Sequence, residues 1–203
     1  MRRLRGMFQR YGWQLPFTVL AIAGIRLAGM WRGTLLYWLK LTTHGHKGQH
    51  VRLGPNISVS PGCWLEIGDG VSIQARCILE ISVNPQAKVK IGDGTWMSHD
   101  CHVCSYNHIE IGSQVLIGEF VSIRDSTHGY ADLHSPIKQQ KDIIGSVVIE
   151  DDVWIGRGCL IQGKSQGIVI GRGSIIAANS VVSHSIPEME VWGGVPAKFI
   201  KPR

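Results

Sequence analysis

Ile67-Gly68-Asp69-Gly70-Val71-Ser72-Ile73-Gln74-Ala75-Arg76-Cys77-Ile78-Leu79 carries the pattern that decides the fold. Aliphatic residues stand six apart at 67, 73 and 79, and a small or β-branched residue follows each of them four places on. Extending the count gives Pro85, Ile91, Met97 and Val103. After two inserted residues come Ile111, Ile117 and Ile123. After a longer break come Ile149, Ile155 and Ile161, and after three more residues Ile170, Ile176 and Val182. Fifteen of these 16 positions are aliphatic or Met, against about 5 expected from composition, which marks a true internal repeat. The second column reads Val71, Cys77, Val83, Val89, Thr95, Cys101, Val115, Val121, Val153, Cys159, Ser174 and Ser180.

A six-residue period assigns one short strand and one turn to each repeat, and three repeats close a triangular coil. The aliphatic residues stack along the axis, and the residue four places on must be small to fit near a corner. Gly, Asp and Asn accept the turn conformations that bulkier residues resist. No coil buries its own apolar face, so stability comes from stacking neighbours. The reading is an all-β solenoid, a parallel β-helix of about six triangular coils over residues 51–187, with one excursion loop at about 124–147. Residues 1–50 form an N-terminal basic and apolar helical segment with its linker, and residues 188–203 a C-terminal basic tail.

Composition agrees. Glycine is 25 of 203 residues without a collagen period, and hydrophobic and charged residues are 44% and 18%, so the chain is neither disordered nor a bundle of spanning helices. The odd set Cys63, Cys77, Cys101, Cys104 and Cys159 does not resemble the staples of a small secreted domain, so a reducing, cytoplasmic setting is expected. The net charge of +6 suits an anionic ligand or membrane. Nucleic acid is disfavoured, because the positive charge sits at the two ends without a basic-aromatic platform.

Near the N-terminus Arg2, Arg3, Arg5 and Arg10 precede an apolar stretch from Leu15 to Ile25 that Arg26 stops. This is shorter than the roughly 20 apolar residues of a spanning helix. Trp13, Trp31, Tyr37 and Trp38 suit a headgroup layer, so residues 1–43 read as a peripheral contact with an anionic membrane at its inner face, as a helical cap on the solenoid, or, with less support because Arg26 interrupts the stretch and no clear cleavage motif follows, as a signal or anchor.

From about residue 51 onward the chain resembles the hexapeptide-repeat acyltransferases. It is nearest to the O-acetyltransferases of bacterial surface-polysaccharide and lipopolysaccharide synthesis and to their maltose, galactoside and Nod-factor relatives. The likeness rests on Val147-Val148-Ile149-Glu150-Asp151-Asp152-Val153-Trp154-Ile155-Gly156, on Ile176-Ala177-Ala178-Asn179-Ser180-Val181-Val182, and on Gly193-Gly194-Val195-Pro196-Ala197-Lys198. It implies a left-handed helix, a homotrimer, acetyl-CoA as co-substrate held in clefts between subunits, and a sugar or lipid-linked glycan acceptor.

Acyl transfer to a hydroxyl needs a base near that hydroxyl. His128 lies in Arg124-Asp125-Ser126-Thr127-His128-Gly129-Tyr130, where the repeat breaks, and long excursions from rigid scaffolds are where function concentrates. The motif resembles the family's Asp-x-x-His, whose His is the general base. Asp125 is then expected to orient the imidazole. In the sugar-acetylating branch an acceptor-binding Asn precedes this motif by one coil. Ser98 stands there, a departure from that pattern, with His99, Asp100 or His102 as substitutes for its contacts. For the co-substrate, Gly156, Ala177 and Ala178 leave room for the pantetheine arm, Trp154 covers it, and Ser183, His184, Lys198 and Lys201 are expected to meet the phosphates. No metal site is expected. Cys101 belongs to the inward column and Cys104 should face outward, so the two make a poor chelate. The alternatives from another class are a metal hydratase like the γ-class carbonic anhydrases and a catalytically inactive β-helix scaffold.

Overall fold

The computed structural model describes residues 44–46, 48–60 and 63–203. The expectations for residues 1–43 therefore lie outside the described residues. Among the described residues, no helix is long and apolar enough to cross a membrane.

Three parallel sheets form the faces of a triangular prism. Face A stacks Trp64–Ile67, Lys88–Ile91, His108–Ile111, Ser146–Ile149 and Ile168–Ile170. Face B stacks Arg52–Leu53, Ser72–Ile73, Trp96–Met97, Leu116–Ile117, Trp154–Ile155, Ile175–Ile176 and Glu190–Gly194. Face C stacks Ser58–Val59, Ile78–Ile81, His102–Ser105, Ser122–Arg124, Leu160–Gln162 and Val181–Val182. The chain visits A, B and C in turn, so each strand pairs with the same face of the next coil and the axial columns stay in register.

The period-six residues are the core. Ile67, Ile91, Ile111, Ile149 and Ile170 are in register on face A, and all fifteen aliphatic or Met members of the column are buried. Burying one such side chain contributes about 1.5–3 kcal/mol relative to leaving it exposed. The small column fills the space beneath the corners, and its polar members find carbonyl partners. Cys77, Cys101 and Cys159 point their thiols at the carbonyls of Ser98, Gly118 and Ala177 at 3.0, 3.1 and 3.0 Å. These cysteines are therefore interior packing residues, which accounts for their number without any pairing.

The corners explain the rest of the repeat. Every turn from face B to face C uses a left-handed residue, namely Asn56, Arg76, Asp100, Phe120, Gly158 and Asn179 with φ between 58° and 69°. At the turn from face A to face B, carboxylates tie one coil to the next. Asp69 accepts from the Gln49 amide at 2.6 Å, Asp93 from the Asp69 amide at 2.7 Å, and Asp151 from the Ser113 amide at 2.8 Å.

Two expectations change. Pro85 and Val83 are not column members: Val83 is 80% exposed, and both lie in an outward bulge between Ile81 and Lys88. The bulge is itself six residues long, so the phase survives it. The C-terminal segment is also not a free tail. Ala197–Pro202 folds back antiparallel on Glu190–Gly194 and closes the open end of face B. Arg203 then reaches the Asp152 carboxylate and the Gly173 carbonyl, both at 2.8 Å.

Candidate active site

The excursion leaves face C after Arg124 and returns at Ser146. Its base is a two-stranded antiparallel ladder in which Ser126 faces Ile144 and Thr127 faces Ile143. The next pair along that ladder is His128 and Asp142. Gly129 permits the approach, since a Cβ there would collide with the Lys141 carbonyl. His128 Nδ1 lies 2.8 Å from Asp142 Oδ1, with the imidazole 79% exposed. A carboxylate only accepts, so Nδ1 carries the proton, and in the neutral ring Nε2 is the nitrogen that can accept one. Farther out, Asp132 organises the loop by accepting from the His134 amide at 2.9 Å and the Ser135 hydroxyl at 2.6 Å. Tyr130, Leu133 and Ile137 are exposed along this loop.

Asp125 has a different job from the expected one. It is fully buried, and its carboxylate accepts from the Ser105 hydroxyl and from the amides of Tyr106 and Asn107, each at 2.8 Å. Its own carbonyl accepts from Gly145 at 2.7 Å, which fastens the return of the excursion. Asp125 is thus a staple between coils, and the carboxylate that meets His128 is Asp142. Spacing favoured Asp125 because it lies in the same turn of sequence. Asp142 is 14 residues away and carries no periodic signal.

The other expected site residues fall into four places. Ser98, Gly156 and Ala177 occupy equivalent positions at the corner from face B to face C, each following a buried member of the column in register. Ala178 is the next residue of that corner. Gly156 is required by close stacking, since a Cβ would stand 2.6 Å from the Ala178 nitrogen. Beside Ser98, His99 contacts Asp100 at 2.9 Å and meets Phe120 edge-on at 6.0 Å. Asp100 also takes two bonds of 2.6 Å from Arg76 of the preceding coil. The Arg76 bonds first, and then His99, hold the Asp100 carboxyl down at about 2. This tie between coils is in place above the ordinary carboxylate range and is lost as pH falls towards 2.

Trp154 sits on the outside of face B, 49% exposed, in register with Leu116, Trp96 and Ile175. Lys198 and Lys201 are exposed on the last strand. Ser183 and His184 follow the last strand of face C, and the His184 ring meets Trp192 edge-on at 5.2 Å. Trp192 in turn packs on Phe199 at 6.1 Å, so an aromatic row missed by the sequence reading runs beside the two lysines. The Gly-Gly-Val-Pro turn signal was its visible trace.

His102 does not join Ser98 and His99. It projects from face C, 3.1 Å from Glu80 on the neighbouring strand. Cys101 and Cys104 lie on opposite sides of the sheet. Burial, then the Glu80 carboxylate, push the Cys104 thiol up, so in the metal-free chain it is protonated at neutral pH. Within one chain, His128 leaves at the corner from C to A, whereas the column of Ser98, Gly156 and Ala177 runs along the corner from B to C.

A triangular parallel solenoid with one structured excursion defines the class of hexapeptide-repeat proteins. No protein-family model matches the chain. It is 32% identical over 158 residues to a protein of Mycobacterium tuberculosis named as an acetyltransferase, covering 77% of this chain and 49% of that one. It is 36% identical over 116 residues to an Escherichia coli protein named as a lipopolysaccharide biosynthesis O-acetyl transferase, covering 54% and 58%. An Arabidopsis thaliana mitochondrial gamma carbonic anhydrase is 30% identical over 141 residues, covering 68% and 43%. The chain thus spans about half the length of the curated relatives it matches. Among solved structures, a hexapeptide-repeat acetyltransferase of Vibrio cholerae, crystallised with acetyl coenzyme A, superposes with a TM-score of 0.57 at 29% identity over 82% of this chain and 75% of that one. An N-acyltransferase of Bacillus cereus shares the fold, with a TM-score of 0.64 at 22% identity over 81% and 86%. The chain is a hexapeptide-repeat parallel β-helix and is similar in sequence and fold to acetyltransferases built on that repeat.

Proposed function

We propose that the protein is an acetyl-CoA-dependent O-acetyltransferase acting on a sugar hydroxyl of a bacterial surface polysaccharide, lipopolysaccharide or lipid-linked glycan precursor. The observation that carries this reading is the His128–Asp142 pair, which holds the exposed imidazole by Nδ1 at the root of the excursion and so reserves Nε2 for a proton acceptor's role. In the reaction Nε2 takes the proton of the acceptor hydroxyl as its oxygen attacks the thioester carbonyl. The C–S bond then breaks, and the imidazolium returns the proton to the leaving sulfur. Asp142 keeps Nδ1 protonated throughout, so it acts as a positioning residue. No covalent acyl-enzyme is involved.

The small-residue corner at Gly156, Ala177 and Ala178 offers room for the pantetheine arm. Lys198 and Lys201, which form no ion pair among the described residues, offer their charges to the phosphates. Ser98 and His99 supply hydrogen bonds to the acceptor. His128 and that corner column lie at different corners of one coil, so a site using both is completed by a second copy. This supports a homotrimer, whose neighbours would cover the exposed Tyr130, Leu133 and Ile137.

The hydratase reading has less behind it. His99, His102 and His128 are each tied to a separate carboxylate, Asp100, Glu80 and Asp142. The test is acceptor-dependent release of coenzyme A thiol from acetyl-CoA across a panel of lipid-linked and free sugars. Release with at least one of them is expected, whereas a folded protein inert across the panel would count against the assignment.

A further inference from the structure

We propose that Glu80, His102 and Cys104 form a zinc site on the outer surface of face C, separate from the acyl-transfer site. His102 and Cys104 are two apart on one strand and so share its outer side. Glu80 lies directly across from Cys104 on the strand of the preceding coil. One ligand atom from each of the three residues lies within 4.8 Å of the others, and Glu80 Oε2 is 3.1 Å from His102 Nε2. Ligand atoms around a tetrahedral zinc with bonds of about 2.0–2.3 Å stand about 3.3–3.8 Å apart, so small side-chain rotations close the site.

A second observation concerns the cysteine itself. The other four cysteines belong to the axial core, whereas Cys104 does not, although it is only 6% exposed. Packing of the interior therefore does not account for a thiol at this position. Sulfur, imidazole and carboxylate together suit zinc and not magnesium or calcium, whose ligands are all oxygen. Arg124, in register with Cys104 on the next coil, is the charge that opposes a cation here. A carboxylate and a thiolate supply two negative charges against it, which neutral imidazoles alone would not. Three protein ligands leave a fourth position open to solvent beside the half-exposed Glu80. Bound zinc would clamp two successive coils at the strand that ends in Ser105, the residue that meets Asp125.

The test uses the purified full-length chain, stripped with a chelator and titrated with Co²⁺ and then Zn²⁺. One equivalent of Co²⁺ per chain is expected to give a thiolate-to-cobalt charge-transfer band that Zn²⁺ abolishes. Zn²⁺ should also raise the melting temperature. Cys104→Ser should remove the band, and Glu80→Gln or His102→Ala should weaken binding at least about 10-fold. Glu80 is exposed, so its variant is expected to melt like the metal-free parent, which separates loss of metal from loss of fold. A featureless cobalt titration, or an unchanged band in Cys104→Ser, would overturn the site.

Discussion

His128→Ala should lower acetyl transfer by roughly 10²- to 10⁴-fold, the usual contribution of a positioned base, while acetyl-CoA binding stays nearly unchanged. The argument is geometric. The imidazole is exposed, and its Nδ1 is committed to Asp142, so the loss of the ring removes a proton acceptor and little packing. The fall should therefore appear in kcat with the melting temperature preserved. Asp142→Asn should cost less, on the order of 10-fold, because an exposed pair constrains the tautomer only partly. Asp142→Glu should recover part of that loss. If His128→Ala turned over at the parent rate, the base would lie elsewhere.

Asp125→Ala is expected to act on stability instead. The substitution strands the amides of Tyr106 and Asn107 and leaves the Ser105 hydroxyl only its longer contact with the Lys88 carbonyl at 3.3 Å, where all three now converge on one buried carboxylate. Each unsatisfied buried group costs about 1–3 kcal/mol, so the two amides together cost about 2–6 kcal/mol. For a chain of this size that corresponds to a melting temperature lower by on the order of 10 °C. Activity measured well below the transition should be largely retained, since Asp142 still holds His128. A variant that melted like the parent but had lost its turnover would restore Asp125 to the role of orienting the base.

The two aspartates show what the sequence reveals and what it hides. Periodicity is a property of neighbouring residues, so it exposed the axial columns from Ile67 to Val182 and the outward direction of Cys104. It failed where an insertion copied the period, as at Val83 and Pro85. It also failed where function depends on pairing at a distance. Asp142 reaches His128 through the register of a short hairpin, and Glu80 reaches Cys104 across 24 residues because the same bulge lengthens that coil. Neither relation leaves a mark in spacing. The C-terminal hairpin lay between these cases. Its Gly-Gly-Val-Pro turn was visible, but the row of His184, Trp192 and Phe199 that it builds depends on residues meeting across strands.

The most direct test of the acyltransferase account is calorimetric titration of the purified protein with acetyl-CoA, repeated on the Lys198→Ala/Lys201→Ala double variant. The account predicts saturable micromolar binding by the parent chain and at least about 10-fold weaker binding by the variant, as expected when charged contacts to phosphate are lost. A folded, oligomeric protein that takes up no acetyl-CoA would contradict it.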